Sequence, residues 1–444
     1  MLMRRRSGTL LDKVGRMNDF VFARSQMAMS LAFHIVFAAL GIGMPLLMAL
    51  AEGVYLRTKQ QVYLDLCKRW AKGTAILFAV GAVSGTVLSF ELGLLWPEFM
   101  QHAGAIIGMP FSLEGFAFFT EAIFLGVYLY GWKRVPLFIH WLSGALVAVS
   151  GLFSGIFVVT ANAWMNSPAG FKMVEGKIID IDPIAAMLNR ASFHEVLHMT
   201  LAAIVATGFL VAAVHAFLLL RDPNNLFHRA ALGLALAVAC VCSPLQILSG
   251  DLSARAVARL QPAKLAAMEA QYRTEAGATL LIGGIPNDET METHYAVSIP
   301  RGLSLLVAHD PKARVVGLEG FPRDQWPNVR MVHWSFDIMV ASGVMMLALA
   351  ICASGLWLKH RRLPDNLWLL RGVVVAGPLG FLAVETGWVV TEVGRQPWII
   401  YGVMRTREAV TPVLSGSRRR ISPSSPVFAD GQCCTRPTKG IGDA

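Results

Sequence analysis

The sequence predicts an all-α fold: a polytopic membrane helical bundle of about eight transmembrane helices with one long loop. Three observations carry this. Hydrophobic residues make up 55% of the 444 positions, charged residues only 15%, and mean hydropathy is +0.53. An average soluble chain is about 25% charged. The apolar runs are too long and continuous for the alternating strands of a barrel. The basic residues also gather in alternate short loops, as the positive-inside rule requires. The net charge of +10 therefore reads as topology and gives no sign of a nucleic-acid partner.

Taken in order, residues 1–16 form an N-terminal extension, "MLMRRRSGTLLDKVGR", with Met17 a more natural start. Six spans within 17–249 centre near 30–52, 74–95, 112–131, 140–162, 197–220 and 230–249. Residues 250–330 form the long loop, with "LQPAKLAAMEAQYRTEA" a candidate amphipathic helix followed by Gly/Pro-punctuated coil. Spans seven and eight lie within 331–395, near 335–357 and 372–392. Residues 396–444 are expected to be a disordered tail, ending in "SGSRRRISPSSP" and beyond, where polar residues replace any apolar run. Basic clusters follow the first, third, fifth and seventh spans: Lys59/Lys68/Arg69/Lys72, Lys133/Arg134, Arg221/His228/Arg229 and Lys359/Arg361/Arg362/Arg371. Those loops are expected to be cytoplasmic, and the 250–330 loop periplasmic.

An ionisable group in a bilayer costs about 2.5–3.5 kcal/mol on insertion scales, so each one needs a reason. Glu114 and Glu121 share one stripe of the apolar "SLEGFAFFTEAIF", two helical turns apart. They suit a proton path, or two acids satisfied separately by neighbouring helices. His34 in "MSLAFHIVFAALGIG" suits a ligand or a core histidine. His194 and His198 stand at i,i+4 in "FHEVLHMTLAAIVATG"; the pair suits a metal, or His198 alone a haem iron. Met339 is one of 20 methionines, for which packing is the commoner role. Glu385 lies deep in span eight, with Glu392 and Arg395 near its exit and Glu91 near the end of span two. Arg395 fits a haem propionate or an interface anchor equally. "GAVSG" and "GLFSG" allow close helix approach.

The six cysteines show neither a disulfide framework nor zinc spacing. Phosphate-binding glycine loops, HExxH and a Ser-His-Asp pattern are absent from the sequence.

The segments "RSQMAMSLAFHIVF", "GTVLSFELGLLWPEF", "SLEGFAFFTEAIFLGVYLYGW", "VVTANAWMNSPAGF", "HMTLAAIVATGF", "KLAAMEAQY", "IMVASG" and "VETGWVVTEVGRQPW" together resemble subunit I of the cytochrome bd-type quinol oxidases, in the branch with a short quinol loop. The resemblance spans residues 17–412. It implies a haem-bearing subunit of the bacterial inner membrane that oxidises quinol and reduces dioxygen to water, with proton uptake from the cytoplasm. It implies a second membrane subunit, subunit II, and three haems: a low-spin haem b, a high-spin haem b and a haem d or third haem b. By the same resemblance His198 and Met339 ligate the low-spin haem. His34 and Glu385 match the axial ligands of the two high-spin haems. Glu114 and Glu121 match the oxygen-site and proton-route acids, Lys264 and Glu269 the quinol residues, and Arg24 and Arg395 the propionate supports. Two departures stand out. Asp337 occupies a position, two residues before Met339, where many members carry Arg. The tail also stands where the family has a ninth span. A haem-free proton-coupled transporter and an inactive truncated copy are the alternative expectations.

Overall fold

The computed structural model describes residues 10–174, 177–361 and 366–410, with side chains from Phe20 onward. The chain divides into two units. In the first, only residues 10–22 are described, and they are helical. The second, Ala23–Thr411, carries the bundle.

The helices are α1 (Leu10–Thr58), α2 (Gln61–Leu95), α3 (Pro97–Tyr130), α4 (Leu137–Asn166), α5 (Pro183–Met187), α6 (Ser192–Leu219), α7 (Leu226–Leu260), α8 (Pro262–Met268), α9 (Gly302–Ala308), α10 (Val329–His360), α11 (Leu367–Ala376) and α12 (Leu379–Gly394). Eight segments of 28 to 39 residues are long and apolar enough to cross a membrane. At 1.5 Å per residue each exceeds a hydrocarbon core of about 30 Å. The last of them joins α11 to α12 across Gly377–Pro378. Proline has no N–H for the helical ladder, which breaks the span in two.

α6 is the axis. Its most apolar window is 61% buried, against 6% for α2. It packs against α4, α7, α11 and α12, while α3 runs along α4 and α10 along α12. One core joins Leu40, Met48, Phe209, Leu232 and Val373. α12 meets α6 at Gly380, where an added Cβ would stand 2.4 Å from Ala206 Cα. Only hydrogen fits there.

Three expectations need correction. The first is the sixth span: α7 runs to Leu260, so this span is longer and the loop starts later than residue 250. The second is the loop itself. Its helix α8 has only seven residues and is buried along its length, not a solvated amphipathic helix. Beyond α8 the loop is built of short antiparallel pairs rather than coil: Leu280–Ile282 with Val297–Ile299, Ile285–Asn287 with Glu292–His294, and Glu275–Ala276 with Arg314–Val315.

The third correction concerns the tail. Residues 398–405 fold as a strand pair, Trp398–Ile400 with Met404–Arg405. Ile399, Ile400 and Met404 are buried against Trp96, Phe99, Ile106 and Trp164, and Tyr401 N donates to Met165 O at 2.9 Å. These apolar side chains gain more from that contact than from solvent. Residues 411–444, with Cys433–Cys434 and the position of the expected ninth span, lie outside the described residues, as do residues 1–9.

Candidate functional site

The acid stripe of α3 faces α4. Glu121 is buried, and an added Cβ on Gly151 would lie 3.4 Å from both its carboxylate oxygens and 3.1 Å from Gly41 O. The acid therefore sits where α1, α3 and α4 converge. Glu114, two turns earlier and half-buried, accepts a hydrogen bond from Ser154 Oγ at 3.3 Å. Glu91 is buried between α1 and α2; its Oε1 accepts from Ser30 Oγ at 2.7 Å and Gln26 Nε2 at 3.1 Å. Its Oε2 has no partner.

His34 on α1 points at α2. Its Nδ1 lies 2.9 Å from Ser84 Oγ, and that hydroxyl donates to Val80 O and Gly81 O. Where that one hydroxyl proton goes to a backbone carbonyl, the oxygen accepts from Nδ1–H, and the Nε2 lone pair is then the one left for a ligand. Gly85 gives the ring room: an added Cβ there would meet His34 Cε1 at 3.1 Å.

The same device recurs on α6. His198 Nδ1 lies 3.0 Å from Ser249 Oγ, which donates to Gln246 O at 2.8 Å. The Gln246 amide nitrogen stands 3.2 Å from His198 Nε2, so ligation through Nε2 requires this side chain to swing aside. His194 Nδ1 lies 3.3 Å from Ser253 Oγ, and its buried Nε2 is unpartnered. Geometry alone does not choose between the two imidazoles.

Met339 on α10 faces α12, its Sδ 3.1 Å from where a Cβ on Gly387 would stand. Glu385, two residues earlier on α12, has a buried Oε1 with no hydrogen-bond partner. Arg395 is almost wholly buried at the end of the same helix. Its Nη2 donates to Glu392 Oε2 at 2.6 Å, while Nε and Nη1 are unsatisfied. Arg24 on α1 lies within electrostatic reach of Arg407.

Lys264 lies within α8 and Glu269 caps its C-terminal end, and both are buried. Lys264 Nζ donates to Asn166 Oδ1 at 2.8 Å. Burial pulls the ammonium's pKa below its usual range, and Arg395 adds to this while Glu195 and Glu392 oppose it. Burial, with Asp337 adding to it, pushes the Glu269 carboxyl up to about 8. Glu269 Oε1 is unpartnered. Asp337 accepts from Gly283 N at 2.7 Å and so ties the loop to α10. Next to it, His333 places Nδ1 2.7 Å from Met268 O and Nε2 3.0 Å from Gly283 O. Sequence reasoning missed His333, Asn162, Asn166 and the serines behind the histidines. The spacing Asn162–Asn166 at i,i+4 near the end of a span was the available signal.

Among the described residues no three His, Cys, Asp or Glu converge on one point as a metal set. The ligand candidates His34, His198, Met339 and Glu385 lie on four different membrane-length segments. The chain belongs to the cytochrome bd terminal oxidase subunit I family, whose profile matches residues 22–422. It is 34% identical over 415 residues to the cytochrome bd ubiquinol oxidase subunit 1 of Bacillus subtilis, covering 90% of this chain and 88% of that one. A second B. subtilis relative, provisionally named a cytochrome bd menaquinol oxidase subunit I, is 38% identical, covering 89% and 90%. The structure of bd oxidase from Geobacillus thermodenitrificans superposes with a TM-score of 0.83 at 39% identity, covering 88% of this chain and 91% of that one.

The residues present fit the haems that this family implies. Among the described residues, Glu385 offers a buried carboxylate oxygen and Arg395 two buried donors without hydrogen-bond partners, and His34 offers an imidazole held by Ser84. Gly85 and Gly387 leave the side-chain space beside His34 and Met339.

Proposed function

We propose that this chain is the catalytic subunit of a quinol:dioxygen oxidoreductase, acting with a second membrane subunit in the bacterial inner membrane. Bound haem would supply the electron carriers and the iron at which dioxygen is reduced. We assign His198 and Met339 to a low-spin haem b, and His34 and Glu385 to a high-spin haem b and a haem d or third haem b. The observation that supports this most is the unpartnered buried oxygen of Glu385, since a carboxylate left so is costly unless something binds it.

The chain's own residues supply the rest. Glu269, a buried carboxyl at the loop, accepts a quinol proton at its free Oε1. Lys264 orients the quinol oxygen. Glu121 and Glu114 hold protons at their carboxylates on the way from the cytoplasmic side, and Ser154 steadies Glu114. Arg395 and Arg24 neutralise propionates. The Ser84 and Ser249 hydroxyls orient the His34 and His198 rings through their Nδ1 atoms, and Gln246 must leave His198 Nε2 before it can ligate.

The haem-free transporter has no support beside the family membership. The test is a reduced-minus-oxidised spectrum of membranes carrying this chain and its partner. Haem b bands are expected, and His198→Ala should remove the low-spin component while sparing the others. Membranes without haem signal or quinol-driven oxygen uptake would sink the proposal and favour the inactive copy.

A further inference from the structure

Between the quinol loop and α12 runs an unbroken polar chain. Lys264 Nζ donates to Asn166 Oδ1, and Asn166 Nδ2 donates to Asn162 Oδ1 at 2.9 Å. Asn162 Nδ2 donates to Glu392 Oε1, and Glu392 Oε2 accepts from Arg395 Nη2. The order has a direction. An ammonium can only donate and a carboxylate can only accept. Both amides must therefore turn their oxygens toward Lys264 and their nitrogens toward Glu392. Their dipoles then stabilise the cation at one end and the anion at the other. Lys264 makes no other hydrogen bond among the described residues, and it is almost wholly buried. Thr391 Oγ1 accepts from Asn166 Nδ2 at 3.2 Å and holds the amide from the α12 side.

We propose that Asn166 and Asn162 are positioning residues for quinol oxidation: they hold the buried Lys264 head in a fixed place and in register with the Glu392–Arg395 pair. This rests on the reading of Lys264 as a quinol residue. Asn166 sets the lysine directly, and Asn162 acts through Asn166. Neither touches quinol.

The experiment uses the purified two-subunit complex with a short-chain quinol. KM and kcat are measured beside the rate at which pre-reduced enzyme is reoxidised by dioxygen, which bypasses quinol. A hydrogen bond to a charged group is worth enough for Asn166→Ala to raise KM about tenfold or more. Asn162→Ala should raise it less. Asn166→Asp keeps an oxygen acceptor for Lys264 but loses the donor to Asn162 Oδ1, so it should recover only part of the loss. Haem content and the reoxidation rate should stay at the wild-type level throughout. An unchanged KM in Asn166→Ala overturns the proposal. So does reoxidation slowed as much as quinol turnover, or failure of both alanine variants to assemble, since either makes the asparagines structural. Lys264→Met is run alongside: an unchanged KM there removes the quinol role of Lys264 itself, whereas a wild-type complex without quinol turnover removes the oxidase reading.

Discussion

At the scale of the residue, the site is defined by polar atoms that the bundle leaves unpaired. Most buried polar groups in a protein find a partner, so each exception asks for a ligand or a proton. Glu269 is the clearest case outside the spans, with Oε1 unpartnered and the carboxyl pushed up to about 8 by burial and by Asp337. This fixes the sign of its pH effect. Only the carboxylate can take a proton from quinol. Lowering the pH through about 8 protonates Glu269, so the rate of quinol oxidation should fall as pH falls. Steady-state turnover across neutral and alkaline pH checks this: Glu269→Gln should be slow and should lose that dependence. A variant that keeps the wild-type profile would remove Glu269 from the chemistry. Position and partnering differ in legibility here. Glu114, Glu121, His34 and Glu385 stand out in the sequence because an ionisable group amid apolar residues is costly. The serines that partner Glu114 and His34 do not, since a serine in a helix is ordinary. The burial of Lys264 and Glu269 is not legible, because groups they meet, Asn166 and Asp337, lie far away in sequence.

At the scale of the element, long helices were readable and short ones were not. Apolar length alone sets a span, which is why eight runs in the sequence match eight membrane-length helices. α8 and the 398–405 strand pair have too few residues to carry a periodic signal, and their form is decided by what covers them. α7 outruns its apolar stretch because its end is stabilised by packing on α8 and α9 rather than by lipid. Helix contact also sets how much a single methyl costs. Gly380→Ala would place a carbon 2.4 Å from the backbone of Ala206, and overpacking of that kind costs about 1–3 kcal/mol. The thermal denaturation midpoint of the solubilised complex should drop accordingly. Gly73→Ala, where nothing lies within 4 Å, should leave it unchanged or raise it slightly. Equal midpoints for the two variants would mean that α6 and α12 are not in close contact at Gly380.

At the scale of the whole molecule, the charge pattern gives a testable expectation for the two sides of the membrane. Lys133 lies in an exposed loop with other cations, and Glu289 lies exposed in the quinol loop. In intact cells or right-side-out vesicles, a membrane-impermeant thiol reagent should label a cysteine placed at Glu289 and spare one placed at Lys133. The reverse pattern would invert the topology and put quinol oxidation on the cytoplasmic side. The family membership was legible in the sequence because the functional segments recur in order along nearly the whole chain. The polar chain from Lys264 to Arg395 was not, because it joins three helices whose residues lie up to 230 positions apart.

The central place of α6 has a consequence for synthesis. Spans enter the membrane in the order in which they are made. The proposed ligands are divided between early and late arrivals: His34 and His198 on the first and fifth spans, Met339 and Glu385 on the seventh and eighth. Until α12 closes over α6 at Gly380, that side of the nascent bundle is open. The full ligand set exists only once nearly the whole chain has left the ribosome, so completion of haem binding belongs to the last stage of assembly.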